Sequence, residues 1–176
     1  LPLLPLAMPM PMPTPTPAPA NLADLSLRPA TVADVEALAP LFDAYRQFYD
    51  QPADLALARD YLHQRLLKGQ SMVLMAETPS GTVAGFCQLY PTFCSVLAQP
   101  IHVLYDLFVA PACRRQGVAQ RLLAAAADRG RQDGVARLDL TTAHTNTAAQ
   151  ALYESMGWVH DRVFRTYNLD LNRPPQ

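Results

Sequence analysis

Residues 101–123 constrain the fold more than any other part of the chain, because an apolar strand pattern passes there through a short basic turn straight into an amphipathic helix. Ile101 to Val109 reads as a strand, and the helix starts after Gly117, running to about Gln132 with Gly134 as its stop. A strand and a helix joined this closely predict an α/β arrangement. The junction also has a chemical side. Amide groups in the first turn of a helix have no acceptor within the helix, and the helix dipole puts partial positive charge there, so a pyrophosphate is drawn to that end. Gly117 lets the backbone approach such a group, and Arg114, Arg115 and Arg121 add charge and fork-shaped donors. Taken alone, the same letters also describe an ordinary solvated turn.

On either side of this junction the hydrophobic period changes twice. Leu25 to Arg28 reads as a short strand, followed by a helix capped by Thr31, with Asp34 in its first turn and Val35, Leu38, Phe42 and Tyr45 on one face. Pro40 is expected to kink or split that helix near Glu36 to Ala39. Pro52 and Asp54 open a second helix, with Leu55, Ala58, Leu62 and Leu66 inward, ending near Gly69. Met72 to Glu77 and Val83 to Tyr90 read as strands joined through Thr78-Pro79-Ser80-Gly81. Beyond the central helix come a strand from Ala136 to Thr141, a helix from Thr147 to Met156, and two short strands or one long one between Trp158 and Leu171. The order predicts a mixed α/β sheet with helices on both faces.

The chain has 176 residues, half of them apolar, which suits one domain with a real core. That domain is expected over residues 23–176, behind an extended tail over residues 1–22. The tail carries eight prolines among leucines and methionines, with no charge before Asp24, a pattern for polyproline-like chain rather than helix. Its side chains suit an apolar groove, and deleting Leu1 to Ala20 tests that through melting temperature and assembly state. No basic lead precedes an unbroken apolar run, so a signal peptide is not expected, nor is a membrane span of ~20 apolar residues. The opening leucine leads us to expect a native start upstream. A net charge of −1 argues against a general nucleic-acid surface. Cys87, Cys94 and Cys113 show no metal-ligand spacing, and their odd number fits a reduced, cytoplasmic protein with no metal.

Two segments carry a family resemblance. Arg114-x-x-Gly117-x-Ala119 resembles the acetyl-CoA pyrophosphate loop of the GNAT superfamily of N-acetyltransferases, and the segment from Asn146-Thr147-Ala148 through Leu152-Tyr153 to Gly157-Trp158 resembles that family's next conserved block. The resemblance covers about Leu25 to Leu171 and is strongest from Tyr105 to Trp158. It implies a GNAT-type mixed, mostly antiparallel twisted sheet with helices on both faces. It further implies transfer of an acetyl group from acetyl-CoA to a primary amine by direct attack in a ternary complex. The amine would belong to a small molecule, an amino acid or a protein lysine, and the family's habit of pairing subunits implies a homodimer. Leu107, Phe108 and Val109 would offer backbone groups to the pantetheine arm. Arg114, Arg115, Gln116, Gly117, Val118 and Ala119 would hold the pyrophosphate, with Asn146 and Tyr153 beside the cofactor.

Acetyl transfer poses two proton problems: the amine must be neutral to attack, although an alkyl ammonium has a pKa of ~10.4, and the departing thiolate must be protonated or stabilised. Tyr153 is the candidate acid. Asn146, seven residues earlier, falls near the same helical face, although a plain helix cap explains it as well. Some members of the superfamily carry a glutamate on the strand before the loop where this chain has Tyr105 and Asp106, so the base stays open. Asp106 is a candidate, with a purely structural carboxylate as its rival, and neighbouring strand residues such as Tyr105 and Asp106 line one cleft only if the strand bulges. His144 is a second candidate base, ahead of His63, His102 and His160. Phe48, Tyr49, Asp50, Tyr90 and Phe93 are the expected acceptor wall, although plain core packing explains the aromatic ones equally well. Without a competent base the chain would instead be a catalytically silent acyl-CoA-binding module.

Overall fold

The computed structural model describes residues 24–172; the expected N-terminal tail, residues 1–22, and its boundary with the domain lie outside them. Five strands, β1 (Ser26–Pro29), β2 (Met72–Glu77), β3 (Val83–Cys94), β4 (Gln99–Val109) and β5 (Leu138–Leu140), form one sheet in sequential order. The pairs from β1 to β4 are antiparallel, and β5 joins β4 in parallel. Helices α1 (Val35–Phe48) and α2 (Leu55–Leu67) cover one face, while α3 (Val118–Gln132) and α4 (Thr147–Ser155) lie on the other.

Each face has its own core. Val73, Met75, Phe86 and Phe108 of the sheet meet Val35, Leu38, Phe42, Ala58 and Leu62 of the first two helices. On the other side Leu74, Ala84, Cys87, Leu89 and Leu104 meet Val118, Leu122, Leu123 and Ala126 of α3. Gly85 permits that second layer to close: a Cβ there would stand 2.9 Å from the Phe108 carbonyl oxygen and 3.2 Å from side-chain atoms of Val118 and Leu122. The start of α3 is thereby pressed onto the sheet beside the end of β4.

Two sequence expectations need correction. Of the two outcomes expected at Pro40, the split is overturned: the residue sits inside an unbroken α1. Pro40 and Glu36 are both on the exposed side, so the Glu36 carbonyl that loses its donor can reach water while Leu38, Ala39 and Phe42 hold the buried side. The second concerns the region from Trp158 to Leu171, which forms no strand. Asp161 accepts hydrogen bonds from the Val163 and Phe164 amides at 2.8 Å and 3.0 Å, and Asp170 accepts from the Asn172 amide at 2.9 Å. These local side-chain bonds take amide donors that a strand ladder would need. Element bounds also move: β3 reaches Cys94, beyond Tyr90, and β5 is limited to Leu138–Leu140.

Three carboxylates fix how the helices enter. Asp34 accepts from Arg28 at 2.7 Å and 2.9 Å and from the Thr31 amide at 2.7 Å, tying β1 to the turn before α1. Its hydrogen bond with Arg28 holds its carboxyl well below the usual carboxylate range. Buried Asp43 of α1 accepts from the Asp54 amide at 2.9 Å, and Asp54 in turn caps α2 by accepting from the Leu57 amide at 2.9 Å. Phe42 is consequently brought against Tyr61 of α2, with ring planes 7° apart and centroids at 5.4 Å.

Candidate active site

The site begins with a register change. Gln88 of β3 pairs with Asp106 and Leu89 with Leu104, so Tyr105 is an extra residue on β4. Strand side chains alternate faces, and an inserted residue turns everything after it over. Leu104 accordingly belongs to the core under α3, whereas Phe108 packs under α1. The bulge lets neighbouring Tyr105 and Asp106 line the same cavity, the condition set by the sequence reading. That cavity, about 290 Å³, is walled by Phe42, Tyr61, Tyr90, Tyr105 and Asp106.

Asp106 is only 8% exposed, and burial pushes its carboxyl up to about 6, with a hydrogen bond from Tyr45 pulling the other way. The single proton of the Tyr45 hydroxyl is shared with the Tyr105 carbonyl oxygen, 3.3 Å away. Burial raises the Tyr45 phenol, and the Asp106 carboxylate raises it further, with smaller contributions from Tyr49 and Tyr153. Tyr45 thus lies within electrostatic reach of both the candidate base and the candidate acid. Sequence reasoning took Tyr45 as core because it repeats with Val35, Leu38 and Phe42, and it left Tyr61 out of the site entirely. The signal that could have found Tyr45 was a polar ring tip at a core position of α1, whereas Tyr61 is 37% exposed and carries no such signal.

Tyr153 lies half-buried on α4, its ring 6.1 Å from that of Trp158. Burial and Tyr49 raise its phenol, and a hydrogen bond with Thr142 lowers it. Asn146 is the cap of α4: its side chain accepts from the Ala149 amide at 3.4 Å. His144 is exposed in the turn before α4 and is absent from the cavity lining. His102 is structural, buried with its Nε2 2.9 Å from Asp133. Of the expected acceptor wall, Tyr90 lines the cavity, Tyr49 packs edge-on to Tyr45 at 5.2 Å, and Phe93 is 79% exposed and outside the lining.

A second surface adjoins this cavity. β5 pairs with β4 only at His102, Val103 and Leu104, so the β5-facing edge of β4 from Tyr105 to Val109 has no strand partner among the described residues. Leu107 and Val109 pack toward the α3 core, and Phe108 toward α1. At the end of β4, Arg114 donates from Nε to the Val109 carbonyl at 3.1 Å and lies 5.3 Å from the Phe108 ring centroid. Arg115, Gln116 and Gly117 are exposed; Gln116 donates to the Ala112 carbonyl at 3.2 Å. Gly117 has φ of 79° as the residue before α3, and nothing stands within 4 Å of where its Cβ would be.

Intrahelical bonding in α3 starts with the Arg121 amide on the Gly117 carbonyl at 3.0 Å, which leaves the Val118, Ala119 and Gln120 amides without helical acceptors. The Val118 side chain is itself core, so only its backbone faces the loop. Open space before Gly117, free-ended amides and two exposed arginines suit a pyrophosphate. Arg121, grouped with those arginines on sequence, instead donates to the Leu25 carbonyl at 2.6 Å and ties α3 to the start of β1. Among the described residues no group of three His, Cys, Asp or Glu side chains could hold a metal ion, and no helix is long and apolar enough to cross a membrane.

Comparison with known proteins bears on the whole domain. A sequence profile described as the acetyltransferase (GNAT) family matches residues 36–158. An uncharacterized N-acetyltransferase of Bacillus subtilis (strain 168), YhfO, is 44% identical over 147 residues, covering 84% of this chain and 98% of its own length. The crystal structure of a probable acetyltransferase superposes with a TM-score of 0.80 at 35% identity, over 85% of this chain and 99% of that one. An aminoglycoside N-acetyltransferase, AAC(6')-Iy, solved in complex with CoA, shares the fold at 20% identity with a TM-score of 0.67, over 88% and 98% of the two chains.

Proposed function

Because the chain belongs to the GNAT family and is an acetyl-CoA-dependent N-acetyltransferase, we propose that it acetylates a primary amine in a ternary complex, with Asp106 as base and Tyr153 as acid. Acetyl-CoA supplies the acetyl group as a thioester and leaves as a thiol. The Val118, Ala119 and Gln120 amides, with Arg114 and Arg115, would receive its pyrophosphate, and the open edge of β4 from Leu107 to Val109 its pantetheine arm. Asn146 caps α4, and that cap would fix the helix that carries Tyr153 beside the arm.

The Asp106 carboxylate accepts a proton from the bound ammonium, leaving a neutral nitrogen whose lone pair forms the new C–N bond as the C–S bond breaks. The Tyr153 phenol donates its proton to the departing sulfur and is restored by the second nitrogen proton, which the new amide sheds, while Asp106 returns its own proton to solvent. Tyr45 is a positioning residue that holds the Asp106 side of the site to the β4 bulge. The observation that supports this reading is the bulge at Tyr105, which sets buried Asp106 in an aromatic cavity beside the unpaired edge of β4. His144 has no comparable placement and keeps no role. A homodimer and a cytoplasmic location complete the proposal.

Calorimetric titration with acetyl-CoA, using ATP and NAD as controls, tests its first half. Micromolar binding of acetyl-CoA alone is expected. Thiol release with a primary amine tests the second half, and Tyr153→Phe should lower kcat while leaving acetyl-CoA affinity unchanged. An equal loss of affinity would assign Tyr153 to binding instead.

A further inference from the structure

We infer that the cavity under the β4 bulge selects an arylalkyl or bulky alkyl ammonium whose amine-bearing carbon carries no carboxylate. This rests on the transferase reading and adds the acceptor class. Four of the five walls are aromatic, and the fifth is the carboxylate of Asp106. The Tyr61 and Tyr90 hydroxyls hydrogen-bond each other at 2.6 Å, so much of their polarity is spent on one another. Phe42 stacks on Tyr61, and Tyr105 meets Tyr90 edge-on with centroids at 5.5 Å. Aromatic faces and a buried carboxylate attract an ammonium through charge and ring quadrupole, and the rings accept its apolar body.

The lining contains no cation. Arg65 lies 5.1 Å from the Tyr61 ring centroid and its charge is felt at Tyr90, but it stands behind these rings and is not part of the lining. A carboxylate one carbon from the amine would enter directly beside Asp106 with no cation in the lining to bind it, and two like charges in a desolvated site repel. Size decides between bodies. A volume of about 290 Å³ equals roughly ten waters at ~30 Å³ each. A linear lysine stem would leave much of that space unfilled and forgo contacts, whereas a ring on a short stem fills it. Tyr105 is 64% exposed and forms the outer wall, so it can be changed without opening the core.

Phenethylamine and L-phenylalanine share a skeleton and differ by the carboxylate, which makes them the deciding pair. Calorimetry on the full chain, with and without CoA, reads binding independently of transfer, and thiol release reads turnover. Phenethylamine should bind and turn over at least 100-fold better in kcat/KM than phenylalanine, and at least 10-fold better than a lysine-containing peptide. Tyr105→Leu should raise KM for phenethylamine about 10-fold with acetyl-CoA affinity unchanged. Equal use of phenylalanine, preference for the peptide, or an unchanged KM in Tyr105→Leu would overturn the inference while leaving acetyl transfer intact. If acetyl-CoA failed to bind, the transferase reading would fall, and phenethylamine binding without CoA would still decide the cavity's chemistry.

Discussion

Asp106 combines two demands that normally exclude each other: it is buried almost completely, yet its proposed work requires it to ionise. With its carboxyl pushed up to about 6 by burial, kcat/KM should rise with pH through about 6 and fall again as the amine itself loses its proton near ~10. Asp106→Asn should lower kcat by about 10²- to 10⁴-fold and abolish the acidic limb of the profile. An acidic limb that survives in the variant would move the base elsewhere. Cys87 offers a contrast, since burial under α3 pushes its thiol up to about 12 and leaves it a small core filler, as expected.

The junction between β4 and α3 does its work through backbone rather than side chains, and two glycines show how. Gly117→Val would place a β-branched side chain at φ of 79°, costing about 1 to 2 kcal/mol, and would project it into the space before the loop. Acetyl-CoA affinity should fall at least 10-fold under conditions in which the variant, destabilised by that strain, is still fully folded. Gly85→Ala has the opposite signature. Its Cβ would crowd the Phe108 carbonyl of β4 at 2.9 Å and the Val118 and Leu122 side chains of α3 at 3.2 Å, so the sheet must give as well as α3, with about 1 to 3 kcal/mol lost in urea unfolding. The two outcomes separate a loop built for a ligand from a contact built for packing. Arg114→Ala should weaken acetyl-CoA binding and flatten its salt dependence, because one charge-assisted contact to a phosphate is removed. An unchanged salt slope would leave Arg114 with only its Val109 carbonyl and Phe108 ring contacts.

For the molecule as a whole, two carboxylates pull the pH dependence of stability in opposite directions. The Asp34 carboxyl is depressed by Arg28, so the stability it contributes is present above the ordinary carboxylate pKa and is lost as pH falls. The Asp106 carboxyl is raised, so its ionisation costs the fold as pH climbs from about 4 through about 6. Asp106→Asn should therefore stabilise the protein above pH 6 by up to about 3 kcal/mol and give no gain below pH 4, read as urea midpoints at several pH values. A uniform gain at all pH values would mean that packing, not charge, is responsible. The proposed active site and the fold thus compete for the same side chain, a familiar source of trade-off between activity and stability.

Much of this was legible in the residues. Among the described residues, hydrophobic period located the four α-helices and all five strands, the last at greater length than it has, because each element must bury one face and that need is written locally. The strand, turn and helix around Gly117 could be read for the same reason: an amide-rich helix start with a glycine before it needs no distant partner. The tertiary structure decided what depends on pairing between distant segments. Only the register of β3 against β4 exposes Tyr105 as an extra residue, which turns Asp106 toward α1. Only the approach of α2 to α1 closes Tyr61 over Phe42 and makes core-spaced rings into cavity walls. At the chain's far end, apolar residues that suit a strand are held out of one by Asp161 and Asp170. Period shows that a side chain has an inside and an outside; which partner waits on the inside is a matter of register, and register is set between segments far apart in sequence.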